Sequence, residues 1–472
     1  MKKFDIVVLG GGSGLNVAAF AARKGLDVAV IEPGPMGGTC LNRGCIPSKM
    51  LIEAAEVAQT IARSSTFGIA SEIKDINFKS IMERTMDFVD EEAAGIEEAI
   101  KKHPRYTLFK HFARFTGPKT LSVGKEEIEG EKIVIAAGSR PFIPPIKGLD
   151  KVPYHTSDTI FRLKEQPKHV IFVGGGYISC EMAHFFGSLG SKVTVINRSP
   201  GLLSREDKEI SQTFVDSFSQ KYQPILNATV VEVSPTGEGI GVKAEQDGKT
   251  NAVEGDLLFI ATGRVPNTDS LGCEEAGYAL KKETGCARVN EYMETSVPGV
   301  WALGDIVGIA PFKHGANYEA KLVMANAFGG KKQAADYSVM PHAVFSSPQV
   351  AGVGLTEEEA RESGLDYVVG RYEYIKTGMG KALEEKEGFV KIIADRKRRT
   401  IVGAHILGVD ASVLVHELIV AIKAAGGSVA AIRDSIHIHP ALPEVVQRAV
   451  NSISFEGKAE KQVKTLSQRT AD

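Results

Sequence analysis

Residues 4–34 read FDIVVLGGGSGLNVAAFAARKGLDVAVIEPG. An apolar run (Phe4–Leu9) meets a glycine cluster, then an Ala-rich stretch, then a second apolar run (Asp27–Ile31) closed by Glu32-Pro33-Gly34. Short apolar runs bounded by Gly and Pro are strand signals, and the stretch between them reads as a helix over Asn16–Lys24. The unit is therefore β-α-β. About 165 residues later the same grammar returns in 169–198, HVIFVGGGYISCEMAHFFGSLGSKVTVINR. Here the strands are His169–Val173 and Lys192–Ile196, with a helix over Tyr177–Leu189. Two such units so far apart are a duplicated architecture rather than a short tandem repeat. The expected fold is α/β, with two Rossmann-like dinucleotide-binding domains.

Two further apolar runs end in glycine, KIVIAAG at 132–138 and DLLFIATG at 256–263. Each reads as a strand closing its nucleotide domain, at Gly138 and Gly263. Pro141, Pro144 and Pro145 mark a linker. PGVWALGD at 298–305 reads as a return to the first domain. From Pro341 strands (389–393, 401–405) alternate with helices near 410–425 and 443–453, as in an α+β domain. The expected partition is a first dinucleotide domain over 1–150 and a second over 151–275. Residues 276–340 complete the first, and a C-terminal domain covers 341–472. The last twenty residues are polar and expected to fray.

The chain has 472 residues, 43% hydrophobic and 24% charged, enough to bury several cores. A net charge of −2 gives no electrostatic footprint for nucleic acid or an anionic membrane. Five cysteines are too few for a secreted disulfide scaffold. Lys2 and Lys3 before an apolar run resemble a signal peptide, but the glycines at 10–12 interrupt it. No stretch is long and apolar enough to be a transmembrane helix, so a cytoplasmic location is expected.

In the first unit Gly10-x-Gly12 lies between strand and helix, with Glu32 at the end of the second strand. Glycines let backbone approach a pyrophosphate, the helix N-terminus offers N–H groups, and the acid can take ribose hydroxyls. The third glycine of the usual fingerprint is replaced by Leu15, which is expected to loosen helix–strand packing, Gly14 partly compensating. In the second unit, Gly174-x-Gly176-x-x-Ser179, the second strand ends in Asn197-Arg198, with no acid at the ribose position. An acid there repels a 2′-phosphate, whereas Asn followed by Arg198 favours NADPH over NADH, Arg205 being a weaker second candidate.

Residues 37–49 read GGTCLNRGCIPSK. Five residues along an ideal helix separate Cα atoms by roughly 8.7 Å. A disulfide needs under about 7 Å. A Cys40–Cys45 bond thus demands a distorted turn, for which Gly44 gives freedom, and such bonds are readily reduced. Three alternatives compete: a zinc site, for which no further Cys or His pair has ligand spacing; a structural disulfide, unusual in the cytosol; and two unpaired thiols, which leave the surrounding glycines unexplained. Cys180, Cys273 and Cys286 are scattered and read as inert.

With these motifs the whole chain resembles the class I flavoprotein disulfide reductases, the family of dihydrolipoamide dehydrogenase, glutathione reductase, mycothione reductase and mercuric reductase. The resemblance implies FAD in the first site, NAD(P)H in the second, and a redox-active Cys40–Cys45 pair with Cys40 as interchange thiol and Cys45 beside the flavin. Gly38 and Thr39 then belong to the FAD site, as does Asp305 of ALGD at 302–305; Gly263 and Arg264 belong to the nucleotide sites. Lys49 and Glu181 match the ion pair beside the flavin, and Tyr177 the aromatic gate over it. In HIHPALPE, at 437–444, His439 and Glu444 match the acid–base dyad, which serves the other subunit's disulfide. A homodimer with shared active sites through a C-terminal dimerisation domain is therefore implied. Ala441 and Pro443 depart from the family's usual residues. LNRGCIPSK points to dihydrolipoamide dehydrogenase-like activity, which is the expected function. Arg198, AAEVA at 54–58, YHTSD at 154–158 and HPALPEVV point instead to an NADPH-dependent reductase of a low-molecular-weight disulfide. Mercuric reductase needs a C-terminal cysteine pair, and the last cysteine here is Cys286. A flavin-binding redox sensor without turnover is the reading of another class.

Overall fold

The computed structural model describes residues 1–237 and 239–456. From residue 457 the polar tail expected to fray lies outside the described residues. The chain forms two compact units, Met1–Arg198 with Tyr222–Tyr337, and Ser199–Lys221 with the residues from Ser338 on.

The first unit opens with β1 (Lys2–Leu9), α1 (Gly14–Arg23) and β2 (Val28–Ile31). It continues through α2 (Gly38–Arg43), α3 (Cys45–Arg63) and α4 (Phe78–Lys102) to β3 (Tyr106–Phe109), β4 (Ala113–Gly117), β5 (Thr120–Val123), β6 (Glu126–Ile135) and β7 (Ser139–Pro141). Strands β3, β2, β1 and β6 lie side by side in parallel, while β5 and β4 continue the sheet antiparallel from β6. Ile6, Val7, Val8 and Val28–Val30 are fully buried, which explains why these runs carry no polar alternation: both faces of the strands are covered.

The second nucleotide-type sheet uses β8 (His169–Val173), α5 (Tyr177–Ser188) and β9 (Lys192–Ile196), the two strands falling where the sequence places them. After β9 comes α6 (Lys208–Lys221), which belongs to the other unit, and then β10 (Gln223–Ile225). A three-stranded antiparallel sheet of β11 (Thr229–Pro235), β12 (Ile240–Gln246) and β13 (Lys249–Gly255) precedes β14 (Leu257–Ile260). The parallel order is β10-β9-β8-β14. Strand β15 (Arg264–Pro266) pairs with β7, and β16 (Val300–Ala302) adds to the first sheet beside β6 before α7 (Lys313–Phe328).

The second unit is built on β17 (His342–Val344), β18 (Val350–Gly354), α8 (Glu357–Glu362), β19 (Tyr367–Glu373), α9 (Gly378–Ala382), β20 (Phe389–Asp395) and β21 (Thr400–Leu407). Helices α10 (Ala411–Ala424), α11 (Ala430–Arg433) and α12 (Pro443–Asn451) complete it. Its sheet is antiparallel in the order β17-β18-β21-β20-β19. One face buries Ile392, Ala404 and Ile406 with Leu418, Val446 and Ala449 of α10 and α12. Among the described residues no helix is long and apolar enough to cross a membrane.

Candidate active site

At the turn from β1 into α1, Gly10 has φ +109°, and a Cβ there would lie 2.3 Å from the Ala136 carbonyl oxygen. Its N–H donates to Ile31 O at 2.8 Å. The Gly11 N–H donates to Glu32 Oε2 at 2.8 Å and that of Gly34 to Oε1 at 2.8 Å, which fixes the carboxylate at the strand end. Gly12 faces Gly38: a Cβ on Gly38 would sit 2.8 Å from the Gly12 Cα. Two chain segments thus meet backbone to backbone beside the N-terminus of α1, which has no side-chain cap and no acid in its first turn. This cradle fits the pyrophosphate and ribose of an adenine dinucleotide. The expected loosening at Leu15 is corrected. The close approach is made at Gly14, where a Cβ would meet Ala136 Cβ at 2.8 Å and Val8 Cγ1 at 2.9 Å.

The second turn repeats the first. Gly174 has φ +109°, and a Cβ there would lie 2.4 Å from Ala261 O. Its N–H donates to Ile196 O at 2.9 Å. The Gly175 N–H donates to Asn197 Oδ1 at 3.1 Å. Asn197 therefore stands where Glu32 stands in the first site, with the same backbone contact and no charge. Arg198 follows and is exposed, and Gly176 has open space around it.

The cysteine stretch is two helices, not one. Helix α2 stops at Arg43 and α3 starts at Cys45, with Gly44 (φ −147°, ψ −118°) as the joint. A Cβ on Gly44 would lie 2.9 Å from Thr39 O, so the chain folds back tightly there. Both cysteines are free thiols in this structure, Cys40 half-buried and Cys45 exposed. They stand as a hydrogen-bonded dithiol. Cys40 is pushed well above an ordinary thiol, first by donating its proton toward Cys45 and then by burial. Cys45 is pulled down to about 7 by that same hydrogen bond, against burial, with help from the charge of Lys49. Cys45 is also the first residue of a helix, where the dipole favours an anion.

One turn along α3, Lys49 Nζ lies 2.7 Å from both carboxylate oxygens of Glu181 on α5. Tyr177 begins α5 and is 43% exposed. Asp305, in the short turn Gly304–Ile306, accepts a hydrogen bond from Ser139 Oγ at 2.6 Å. Arg264 donates to Ser139 Oγ at 2.7 Å and lies 3.7 Å from Asp305, so it braces that turn. At Gly138 (φ +65°) and Gly263 (φ +136°) a Cβ would meet nothing within 4 Å, so both strand ends are open.

In the second unit His439 Nδ1 lies 3.0 Å from Glu444 Oε1 and 3.1 Å from Oε2. His439 is 75% exposed, while Glu444 is buried in the first turn of α12. The hydrogen bond to His439 holds the Glu444 carboxyl below its ordinary value. No group of three or more His, Cys, Asp or Glu able to hold a metal occurs among the described residues.

Sequence reasoning missed Lys313 and Asn317. Lys313 Nζ donates to Ser13 Oγ at 2.9 Å, and Ser13 Oγ bonds Asn317 Oδ1 at 3.0 Å. The charge of Lys313 also acts on Cys40. A lysine as the first residue of α7, where the dipole disfavours a cation, was the signal in the sequence.

The family model described as pyridine nucleotide-disulphide oxidoreductase matches residues 4–327, and its dimerisation domain matches residues 340–450. Mycothione reductase of Mycobacterium tuberculosis is 39% identical over 464 residues, covering 95% of this chain and 99% of that protein. Dihydrolipoyl dehydrogenase of Bacillus subtilis is 33% identical over 474 residues, covering 97% and 99%. Among solved structures, the HOCl-induced flavoprotein disulfide reductase RclA from Escherichia coli matches with a TM-score of 0.83 and 30% identity, over 95% of this chain and 99% of that one.

Proposed function

The chain belongs to the pyridine nucleotide-disulphide oxidoreductase family, and from that premise we propose that it is an FAD-dependent, NADPH-using reductase of a low-molecular-weight disulfide. The observation that carries the choice of nucleotide is the Gly175–Asn197 hydrogen bond. Asn197 keeps the turn's geometry without the charge that repels a 2′-phosphate, and Arg198 follows it. The higher identity to mycothione reductase than to dihydrolipoyl dehydrogenase supports the same direction. LNRGCIPSK and the dihydrolipoyl dehydrogenase relatives favour a second reading, oxidation of a lipoyl dithiol with NAD+.

FAD, when bound, supplies a two-electron relay between the nicotinamide and the sulfur pair. Gly10, Gly12, Gly14, Glu32, Gly38, Thr39 and Asp305 are the residues to hold it. Lys49 and Glu181 keep a fixed charge pair beside Cys45, and Tyr177 closes the nicotinamide side. From the dithiol, Cys40 gives its proton to His439 and attacks one sulfur of the substrate disulfide as the thiolate. That S–S bond breaks, a mixed disulfide forms, and the leaving thiolate takes a proton from His439, which Glu444 orients. Cys45, the thiolate favoured by its neighbours, then attacks the Cys40 sulfur, closes the Cys40–Cys45 bond and releases the second thiolate, which takes its proton from solvent. His439 acts on the dithiol of the partner subunit in a homodimer. The exposed Val413, Val420, Ile436 and Ile438 of the second unit suit a buried subunit interface.

Steady-state rates with NADPH and NADH, each against lipoamide and a panel of low-molecular-weight disulfides, test this. The reading requires NADPH and a small disulfide to give the highest kcat/KM. Preference for NAD+ with dihydrolipoamide replaces it with the second reading.

A further inference from the structure

Helix α7 buries a small apolar face of Gly315, Ala316, Ala320, Leu322 and Val323, and among them stands Glu319, which is wholly buried. Taking a carboxylate out of water is costly unless its oxygens find donors. Here each oxygen finds one. The Gly304 N–H donates to Glu319 Oε2 at 2.6 Å, and the Tyr337 hydroxyl donates to Oε1 at 2.8 Å. Both donors are neutral. Burial pushes the carboxyl up to about 7, against the two hydrogen bonds, and the charge of Asp305 adds to the rise. An apolar side chain of similar volume would pack here without that cost. The feature that accounts for the carboxyl is the turn it holds.

Strand β16 pairs with β6 as far as Ala302, and the Leu303 N–H still donates to Ile135 O at 3.0 Å. At Gly304 the backbone turns out of the sheet with φ +78°, and a Cβ there would touch Ala316 Cβ of α7 at 3.4 Å. The residue after that turn is Asp305. Its side chain is held by Ser139 Oγ at 2.6 Å, with Arg264 3.7 Å away. Its backbone is held through the Gly304 N–H by Glu319. A side chain fixed through both its own atoms and its backbone is aimed before any ligand arrives.

Glu319 is itself fixed. The Tyr337 ring meets that of Tyr318 edge-on at 5.9 Å, and the Asp336 N–H donates to the Tyr318 hydroxyl oxygen at 2.7 Å. The Ala335 N–H donates to Glu291 O at 2.7 Å. The segment after α7 is thus fastened where Tyr337 reaches Glu319. A backbone N–H cannot turn into an acceptor, so the oxygen facing Gly304 must accept whether the carboxyl is ionised or protonated. Glutamine meets that requirement and leucine does not.

We propose that Glu319 is a positioning residue for the flavin cofactor: through the Gly304 N–H it holds the turn that presents Asp305, and Tyr337 keeps its carboxyl in place. This deepens the reading of Asp305 as an FAD residue and rests on it. The test uses holoenzyme carrying Glu319→Leu, Glu319→Gln, Asp305→Asn, or Glu319→Leu together with Asp305→Asn. FAD release is followed by flavin fluorescence after dilution, with thermal melts alongside. Glu319→Leu releases FAD roughly tenfold faster, as expected for the loss of about one hydrogen bond to a charged group. Glu319→Gln stays within about twofold of the parent, because its amide oxygen still accepts from Gly304. Since Glu319 acts through Asp305, the double variant releases FAD no faster than Asp305→Asn alone. A glutamate that only supports the fold lowers the melting temperature and speeds release by the same factor in both backgrounds. That result overturns the proposal, as does an unchanged release rate in Glu319→Leu or a Glu319→Gln as fast as Glu319→Leu. Should Glu319→Leu not fold, Tyr337→Phe, which leaves the carboxyl with one donor, takes its place in the cycle with the same outcomes and a smaller factor. An Asp305→Asn protein that keeps FAD as the parent does instead overturns the reading of Asp305, and the proposal with it.

Discussion

The Gly175 N–H donates to Asn197 Oδ1 at 3.1 Å, the contact that Gly11 makes with Glu32 Oε2 at 2.8 Å in the first site. The two cradles share backbone geometry and differ by one charge at the strand end. Asn197→Asp keeps the acceptor and adds that charge. The ratio of kcat/KM for NADPH over NADH is expected to fall on the order of tenfold or more, because a carboxylate then faces the 2′-phosphate. Steady-state kinetics with both nucleotides checks this, and an unchanged ratio places the selectivity elsewhere.

Cys45 is expected to be the more reactive thiol of the reduced protein near neutrality. Its thiolate is the reactive form, so alkylation by iodoacetamide climbs as pH rises through about 7 and levels off above it. Below that pH the thiol is protonated and the rate falls away. Cys40→Ala removes the hydrogen bond that contributes most, and moves the midpoint up toward the ordinary 9.0 of a cysteine. Lys49→Met moves it less. Mass spectrometry after timed alkylation reads both shifts.

Cys40→Ser separates the two halves of the reaction. NADPH still bleaches the flavin in stopped flow at close to the parent rate, while turnover with any disulfide is lost. Turnover that survives in this variant removes Cys40 from the interchange role.

His439→Gln is expected to lower kcat with disulfide by ~10²–10⁴-fold, the usual worth of a positioned acid–base group. Glu444→Gln costs less, on the order of tenfold, because the imidazole remains but is no longer oriented. The Glu444 carboxyl sits below its ordinary value. Its contribution to stability is thus complete above that ordinary value and disappears as pH falls through the depressed one. Thermal melts of parent and Glu444→Gln converge in acid.

Much of this was legible because the signals are local. Phe4–Leu9 and His169–Val173 announce buried parallel strands by their composition, and the glycines after them mark the turns. Gly44 was readable as a break because a pair of cysteines five apart fits no continuous helix. What the sequence did not carry was tertiary. Segment 198–223 reads as one ordinary crossover, and nothing local shows that Glu206 and Asp207 face His342 and Lys391 more than a hundred residues away. Leu15 looked like a defect because a fingerprint was matched by position, whereas the contact with Val8 and Ala136 is made at Gly14. Lys313 and Ser13 lie 300 residues apart in the chain and meet only once both helices are placed.

Gly44 makes the sulfur pair a joint rather than a segment: Cys40 rides on a short helix and Cys45 heads a long one. The backbone change that goes with making or breaking a bond between them has its natural place at that joint. The long helix, with Lys49 fastened to Glu181, has no reason to unwind during a catalytic cycle. Oxidised and reduced protein should then share one scaffold, so that electron storage leaves the rest of the molecule mechanically undisturbed.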